Sequence, residues 1–215
     1  MTDGVPPEAP LDCPLCPRLV AFRSENEARF PDYFNAPVPS FGPSTARLLV
    51  VGMAPGLHGA NATGRPFTGD GAGEFLYRAL AEFGFSEGSY DRRSDDGLEL
   101  VGAMITNAVR CVPPQNKPTG AEVAACRPFH ISRMDSLPQL RVILTLGKIA
   151  HDATLRALGI RLKDMPFGHG VDYALPSGVR LMSSFHTSRY NTNTRKLTWD
   201  MFADVMKSAK AHCED

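Results

Sequence analysis

Three short stretches carry side chains that together suit chemistry on a flat heterocyclic base. In Gly64-Arg-Pro-Phe-Thr-Gly-Asp-Gly71 the glycines let the backbone approach a flat ligand. Phe67 could stack on that ligand, and Asp70 could handle a proton or a water. In Ile105-Thr-Asn-Ala-Val-Arg-Cys111, Asn107 presents a donor and an acceptor on one amide, a pairing that matches the edge of a uracil. In Ser184-Phe-His-Thr-Ser-Arg-Tyr-Asn-Thr-Asn-Thr194, His186 could donate a hydrogen bond to a departing base. Ser188 and Arg189 suit phosphate contacts at a helix start. Each residue alone also has an ordinary structural explanation: helix N-cap for Asp70, core ring for Phe67, turn residue for Asn107 and structural histidine for His186. A serine nucleophile at Ser188 is disfavoured, because no strand-to-helix elbow with flanking glycines surrounds it.

The turn Met53-Ala-Pro-Gly-Leu-His-Gly-Ala-Asn61 follows the apolar run 47–52, and so leaves a buried strand at the edge where open α/β sheets hold ligands. It offers Ala54 where a hydrolase would want a carboxylate. Any activated water must therefore be served from elsewhere.

These stretches need a scaffold of alternating strands and helices. Apolar periodicity predicts a helix over 14–29, a strand over 47–53, a helix over 71–84 and a strand over 100–107. A helix over 119–134, a strand over 140–146 and a helix over 147–158 follow. Segments 171–175 and 179–184 flank a Pro-Ser-Gly turn that suggests a hairpin, and a last helix spans 194–211. Such alternation argues for a mostly parallel sheet covered on both faces. Residues 1–12, rich in proline and acid, are expected to form a flexible lead to a single domain over 13–215.

Among the 215 residues, 23 Lys and Arg balance 23 Asp and Glu, so a nucleic-acid face would have to be local. Segment 82–99 holds six carboxylates against Arg92 and Arg93. Segment 105–133 holds Arg110, Lys117, Arg127 and Arg133 against Glu122 alone, which suggests a basic face. No signal peptide or apolar span is evident, and a soluble cytoplasmic protein that does not engage membranes is expected. In that compartment the five cysteines are not read as a disulfide framework. Cys13 and Cys16 form a CxxC pair, and Cys111 and Cys126 lie far downstream. Four thiolates would suit zinc or an iron-sulfur cluster, and spacing does not choose between them or exclude ordinary buried thiols.

The blocks "GMAPGLHGANATGRPFTGD" at 52–70, "TNAVRC" at 106–111, "ACRPF" at 125–129 and "HTSRYNTNTRKLT" at 186–198 together resemble the family 5, or UDGb, branch of the uracil-DNA glycosylases. The resemblance implies a three-layer α/β/α sandwich around a central four-stranded, mostly parallel sheet. It implies a four-iron four-sulfur cluster held structurally by Cys13, Cys16, Cys111 and Cys126, with Cys213 outside the pattern. It further implies Phe67 stacking on a flipped base, Asn107 at its polar edge, His186 at the carbonyl that gains charge, Asp70 with the water, and backbone donors near Ala54. Thr187 departs from the Pro that superfamily members often have after the histidine, and Arg195-Lys196 departs from the more frequent Gly-Arg. The expected activity is removal of uracil, hypoxanthine and xanthine from DNA by a monomer, with Arg189 and Tyr190 as candidates to fill the vacated gap. Lys117, Lys148, Lys163 and Lys196 fall outside the core motifs, so no lyase step is expected. The alternatives are an iron-sulfur DNA-binding or redox-sensing protein without catalysis, and a zinc-stabilised nucleic-acid module.

Overall fold

A computed structural model describes Gly4 and residues 6–214. Its first half contains α1 (Pro17–Arg29), β1 (Leu48–Gly52), α2 (Ala60–Thr63), α3 (Gly71–Glu82), β2 (Ser86–Glu87), β3 (Glu99–Leu100) and β4 (Ala103–Asn107). The second contains α4 (Gly120–Asp135), β5 (Val142–Leu146), α5 (Lys148–Ala157), β6 (Asp172–Ala174), β7 (Arg180–Ser184), α6 (Arg189–Asn193) and α7 (Trp199–Glu214).

Side-chain alternation lets one sheet serve two cores. Leu48 and Val50 of β1 join an apolar cluster with α3 and α7, while Leu49 and Val51 join another with α1, α4 and α5. Ile105 against Met104, and Leu144 against Ile143, repeat the split in β4 and β5. The result is the expected three-layer α/β/α sandwich. Its helices start where local chemistry favours them: Pro17 opens α1, and Thr119 and Glu122 form a reciprocal capping box on α4.

The central sheet has five strands in the order β4-β1-β5-β7-β6, rather than four. Four are parallel, and β6 pairs antiparallel with β7. The extra edge strand comes from the Pro176-Ser177-Gly178 turn: Gly178 adopts φ 86° and donates to the Leu175 carbonyl at 2.9 Å, closing the hairpin. The strand expected over 100–107 divides at Gly102, at φ 65°. Before it, Glu99–Leu100 pairs with Ser86–Glu87 in a separate small ribbon. The helix expected over 194–211 begins only at Trp199, because Arg195 at φ 57° breaks the helical path after the short α6, which the sequence did not suggest.

The segment expected to be a flexible lead is anchored in part; residues 1–3 and 5 lie outside the described residues. Ala9 is buried, and the Glu8 carboxylate pairs with Arg110 and Arg133. The same contacts overturn the basic face expected over 105–133, since Arg110 and Arg133 are 1% and 9% exposed. A buried guanidinium needs a counter-charge, and Glu8 supplies it. No helix among the described residues is long and apolar enough to cross a membrane.

Candidate active site

Parallel strands deliver their carboxyl ends to one edge, and there the three sequence stretches meet. Gly52 ends β1 directly beside Asn107, the last residue of β4. A Cβ on Gly52 would stand 2.6 Å from the Phe67 ring and would also collide with the Asn107 amide oxygen. Glycine therefore lets ring and amide close over the strand end. Phe67 takes φ 54°, unusual for a residue with a Cβ, and its ring stacks on that of His186, with centroids 5.7 Å apart and planes at 27°. The rings are in contact, so a base using the covered face of Phe67 has to part them.

His186 follows β7, with its Cβ 3.4 Å from where a Cβ on Gly147, at the head of α5, would stand. The Ser188 N–H donates to its Nδ1 at 3.1 Å, and Asn191 Nδ2 donates to its backbone carbonyl at 2.8 Å. A ring that accepts at Nδ1 carries its proton on Nε2 when neutral. Burial lowers the pKa of His186 below its ordinary value, against an opposing pull from the Asp70 charge. His186 is thus a neutral Nε2–H donor.

Asp70 is the N-cap of α3: its Oδ1 accepts from the amides of Ala72 at 3.1 Å and Gly73 at 3.2 Å. That leaves Oδ2 unengaged by the cap. It lies 2.7 Å from where a Cβ on Gly59 would stand and 3.3 Å from where one on Gly56 would. Asp70, His186 and Ala54 all line a cleft of about 900 Å³. Phe67 and Asn107, 7% and 3% exposed, lie outside its lining.

The rim is basic and exposed on one side. Ser188 caps the five-residue α6 through its hydroxyl, Arg189 lies across Gly71, and Tyr190 is 74% exposed. Lys148 and Lys196 also line the cleft, which their positions outside the core motifs did not suggest. Neither is the desolvated amine a Schiff base requires: Lys148 pairs with Asp152 at 2.6 Å and is 65% exposed, and the exposed Lys196 sits over the Phe185 ring. His58, in the turn after β1, also lines the cleft and hydrogen-bonds Tyr33 at 3.0 Å.

Away from this cleft, Cys13, Cys16, Cys111 and Cys126 line one small cavity with apolar Leu19, Val109 and Phe129. All are free thiols. Burial, then the neighbouring cysteines and Glu122, push Cys16 up to about 11. Burial first, and then chiefly Cys126, push Cys111 up to about 12. The Arg110 N–H donates to Cys126 Sγ at 3.4 Å. Four thiols lining one apolar pocket are a soft donor set of the kind that suits a cationic centre taking thiolates. Among the described residues no three Cys, His, Asp or Glu side chains gather closely enough for a single ion. Cys213 is remote, buried in the core on the α3 and α7 face.

The model of the uracil DNA glycosylase superfamily matches residues 39–210. The type-5 uracil-DNA glycosylase of Thermus thermophilus is 48% identical over 203 residues, covering 92% of each chain. That of Pyrobaculum aerophilum is 39% identical, covering 94% of this chain and 89% of its own. That of Mycobacterium tuberculosis is 41% identical, covering 92% and 77%. With a family model spanning the sheet and every cleft loop, and with relatives this close over most of their length, the chain belongs to the type-5 branch of the uracil DNA glycosylase superfamily.

Proposed function

We propose that this chain flips uracil out of DNA and hydrolyses its N-glycosidic bond, leaving an abasic site without cutting the strand. The observation that carries this reading is the meeting of Phe67 and Asn107 over Gly52, with His186 stacked on Phe67 and the Oδ2 of Asp70 left outside the helix cap. Extrusion of a base costs a few kcal/mol, least for a mismatched one. Phe67 then supplies a stacking face and Asn107 reads the polar edge. As the bond between C1′ and the base nitrogen breaks, the electron pair leaves with the base and the sugar becomes cationic. The neutral His186 Nε2–H and nearby backbone amides stabilise the base anion, and a donor of this kind contributes about 3 to 4 kcal/mol. Asp70 and the DNA phosphates favour the sugar cation. Asp70 orients the water whose oxygen bonds to C1′ and whose proton then departs. A cationic sugar needs only a modest nucleophile, so Ala54 in the first turn is compatible with hydrolysis.

Hypoxanthine and xanthine belong to the same proposal. The small Ala54 side chain in the cleft wall leaves room for bicyclic bases. Ser188 and Arg189 would take phosphates, Tyr190 or Arg189 would fill the vacated stack, and the monomer, working in the cytoplasm, would be the active unit. Cys13, Cys16, Cys111 and Cys126 would hold a four-iron four-sulfur cluster, whose contribution is structural: it ties the segment before α1 to the loop after β4.

The test is base release by the purified full-length chain from duplexes carrying uracil, hypoxanthine or xanthine. Expected is free base, with strand breaks only after alkali. Intact uracil duplex with iron-replete protein overturns the reading in favour of a non-catalytic DNA-binding or redox-sensing protein. A zinc-bearing preparation without sulfide overturns the cluster assignment alone.

A further inference from the structure

The excursion between β2 and β4 contributes nothing to the main sheet, yet it holds Phe67 from behind. Tyr90 lies in it, half-buried, with its ring stacked on Tyr77 at 4.4 Å. Its hydroxyl donates to the Phe67 carbonyl at 3.2 Å and accepts from the Gly69 N–H at 3.4 Å. One hydroxyl thus brackets Thr68 and fixes the peptide planes on both sides. The space for this arrangement comes from Gly73, where an added Cβ would stand 2.6 Å from the Tyr90 hydroxyl and would collide with the Phe67 carbonyl. Tyr77 anchors the preceding residue, donating to the Pro66 carbonyl at 2.8 Å.

Behind the two tyrosines lies the fully buried Arg65. Its guanidinium makes a bidentate pair with Asp96 at 2.8 and 2.7 Å, and its Nε donates to Thr68 Oγ1 at 2.8 Å. It also faces the Phe41, Tyr77 and Tyr90 rings at 5.1, 5.4 and 5.8 Å. Asp96 in turn accepts from the Asp91 and Leu98 amides, which closes the excursion on itself. The 65–69 loop closes its own turn, with the Thr68 N–H donating to the Arg65 carbonyl at 3.2 Å across Pro66 and Phe67, and the polar and aromatic back wall braces that turn from behind. A left-handed backbone at a residue with a Cβ costs of order 1 to 3 kcal/mol, and persists only when its surroundings over-determine it.

We infer that Tyr90, backed by the Arg65–Asp96 pair, is a positioning residue: its hydroxyl braces the Arg65–Thr68 turn in which Phe67 is left-handed, and so fixes the ring as the platform for the flipped base. This rests on Phe67 being that platform, as proposed above. A mispositioned platform costs more in the transition state than in DNA binding, because most DNA affinity comes from phosphate contacts.

The experiment is a double-mutant cycle with Tyr90→Phe, which keeps the stacked ring and removes only the hydroxyl, and Phe67→Ala, assayed on a uracil duplex. Expected for Tyr90→Phe is a roughly tenfold fall in kcat with KM within about twofold of the parent, as for loss of one positioning hydrogen bond. In the Phe67→Ala background the same change is expected to cost less than about twofold, since nothing is left to position. The inference is overturned if Tyr90→Phe retains full kcat while Phe67→Ala is impaired, or if its cost is undiminished in the Phe67→Ala background. Full activity in Phe67→Ala overturns the platform reading, and this inference with it.

Discussion

The second carboxylate oxygen of Asp70 occupies the space above Gly59 that a side chain there would fill, 2.7 Å from the position of the missing Cβ. The first oxygen is committed to the α3 amides. The side chain is thus the helix cap through Oδ1 while it lines the cleft with Oδ2 outside the cap, so the two roles read from the sequence do not exclude each other.

The two roles separate by substitution. Asp70→Asn keeps an oxygen for the cap, since Asn caps about as well as Asp, and is expected to lower kcat about a hundredfold with the melting temperature nearly unchanged. Asp70→Ala also loses about 1 kcal/mol of stability. Gly59→Ala is expected to lower kcat at least tenfold by displacing Oδ2. Single-turnover base release and thermal melting decide; full activity in Asp70→Asn would leave Asp70 a cap only.

Gly52→Ala introduces a Cβ where the Phe67 ring and the Asn107 amide already meet. Overpacking of this kind costs about 1 to 3 kcal/mol, and here the strain falls on both base-reading residues. The expected result is a folded but inactive enzyme, seen as an unchanged circular dichroism spectrum with no uracil release.

His186 has a folded pKa below its unfolded value of about 6.5. The unfolded chain therefore binds the extra proton first. The contribution to stability is present above about pH 6.5 and is lost as pH falls below it. The neutral donor form persists into the same acidic range, so the acid limb of kcat/KM due to His186 is expected below pH 6.5. An imidazole titration of His186 by NMR at or above that value would contradict it.

Asp96 is the mirror case in acid. The Arg65 guanidinium holds its carboxyl well below the usual carboxylate range. The stabilisation is complete above the unfolded value of about 3.9 and is lost as pH falls toward the lower folded value. Asp96→Asn leaves Arg65 buried without a counter-charge, which is expected to cost about 3 to 5 kcal/mol and to flatten the acid arm of stability. Urea titrations between pH 3 and 7 test both.

Cys111→Ser is expected to abolish bound iron and sulfide and the broad absorption near about 400 nm, and to lower the melting temperature. Cys213→Ser, away from the cysteine cavity, is expected to leave iron content at the parent level. Equal iron in both variants would remove Cys111 from the ligand set.

Much of the site was legible because its residues sit at strand ends. Asn107 and the turn after Gly52 each follow a largely apolar strand segment, and parallel strands necessarily bring their carboxyl ends to one edge. His186 was legible for the same reason, at the end of β7. The Tyr90 and Asp96 back wall left no comparable signal, because an acid-rich stretch with an isolated tyrosine reads as solvated surface until Arg65 is seen beneath it. Arg110 and Arg133 read as a basic face for the converse reason: their partner Glu8 lies about a hundred residues away in a segment that looked like a loose lead.

From the sequence alone came the alternating architecture, the three loops, the family resemblance and the four cysteines as a set, because strand periodicity, glycine-rich turns and motif spacing are local properties of the chain. Only the tertiary structure decided which groups are free to act. That Asp70 Oδ2 lies against Gly59, that the His186 ring stacks on Phe67, and that the Tyr90 hydroxyl meets the Phe67 carbonyl all depend on contacts between separate segments of the chain. Such contacts are determined by which loops the sheet brings together and by what burial leaves unpaired.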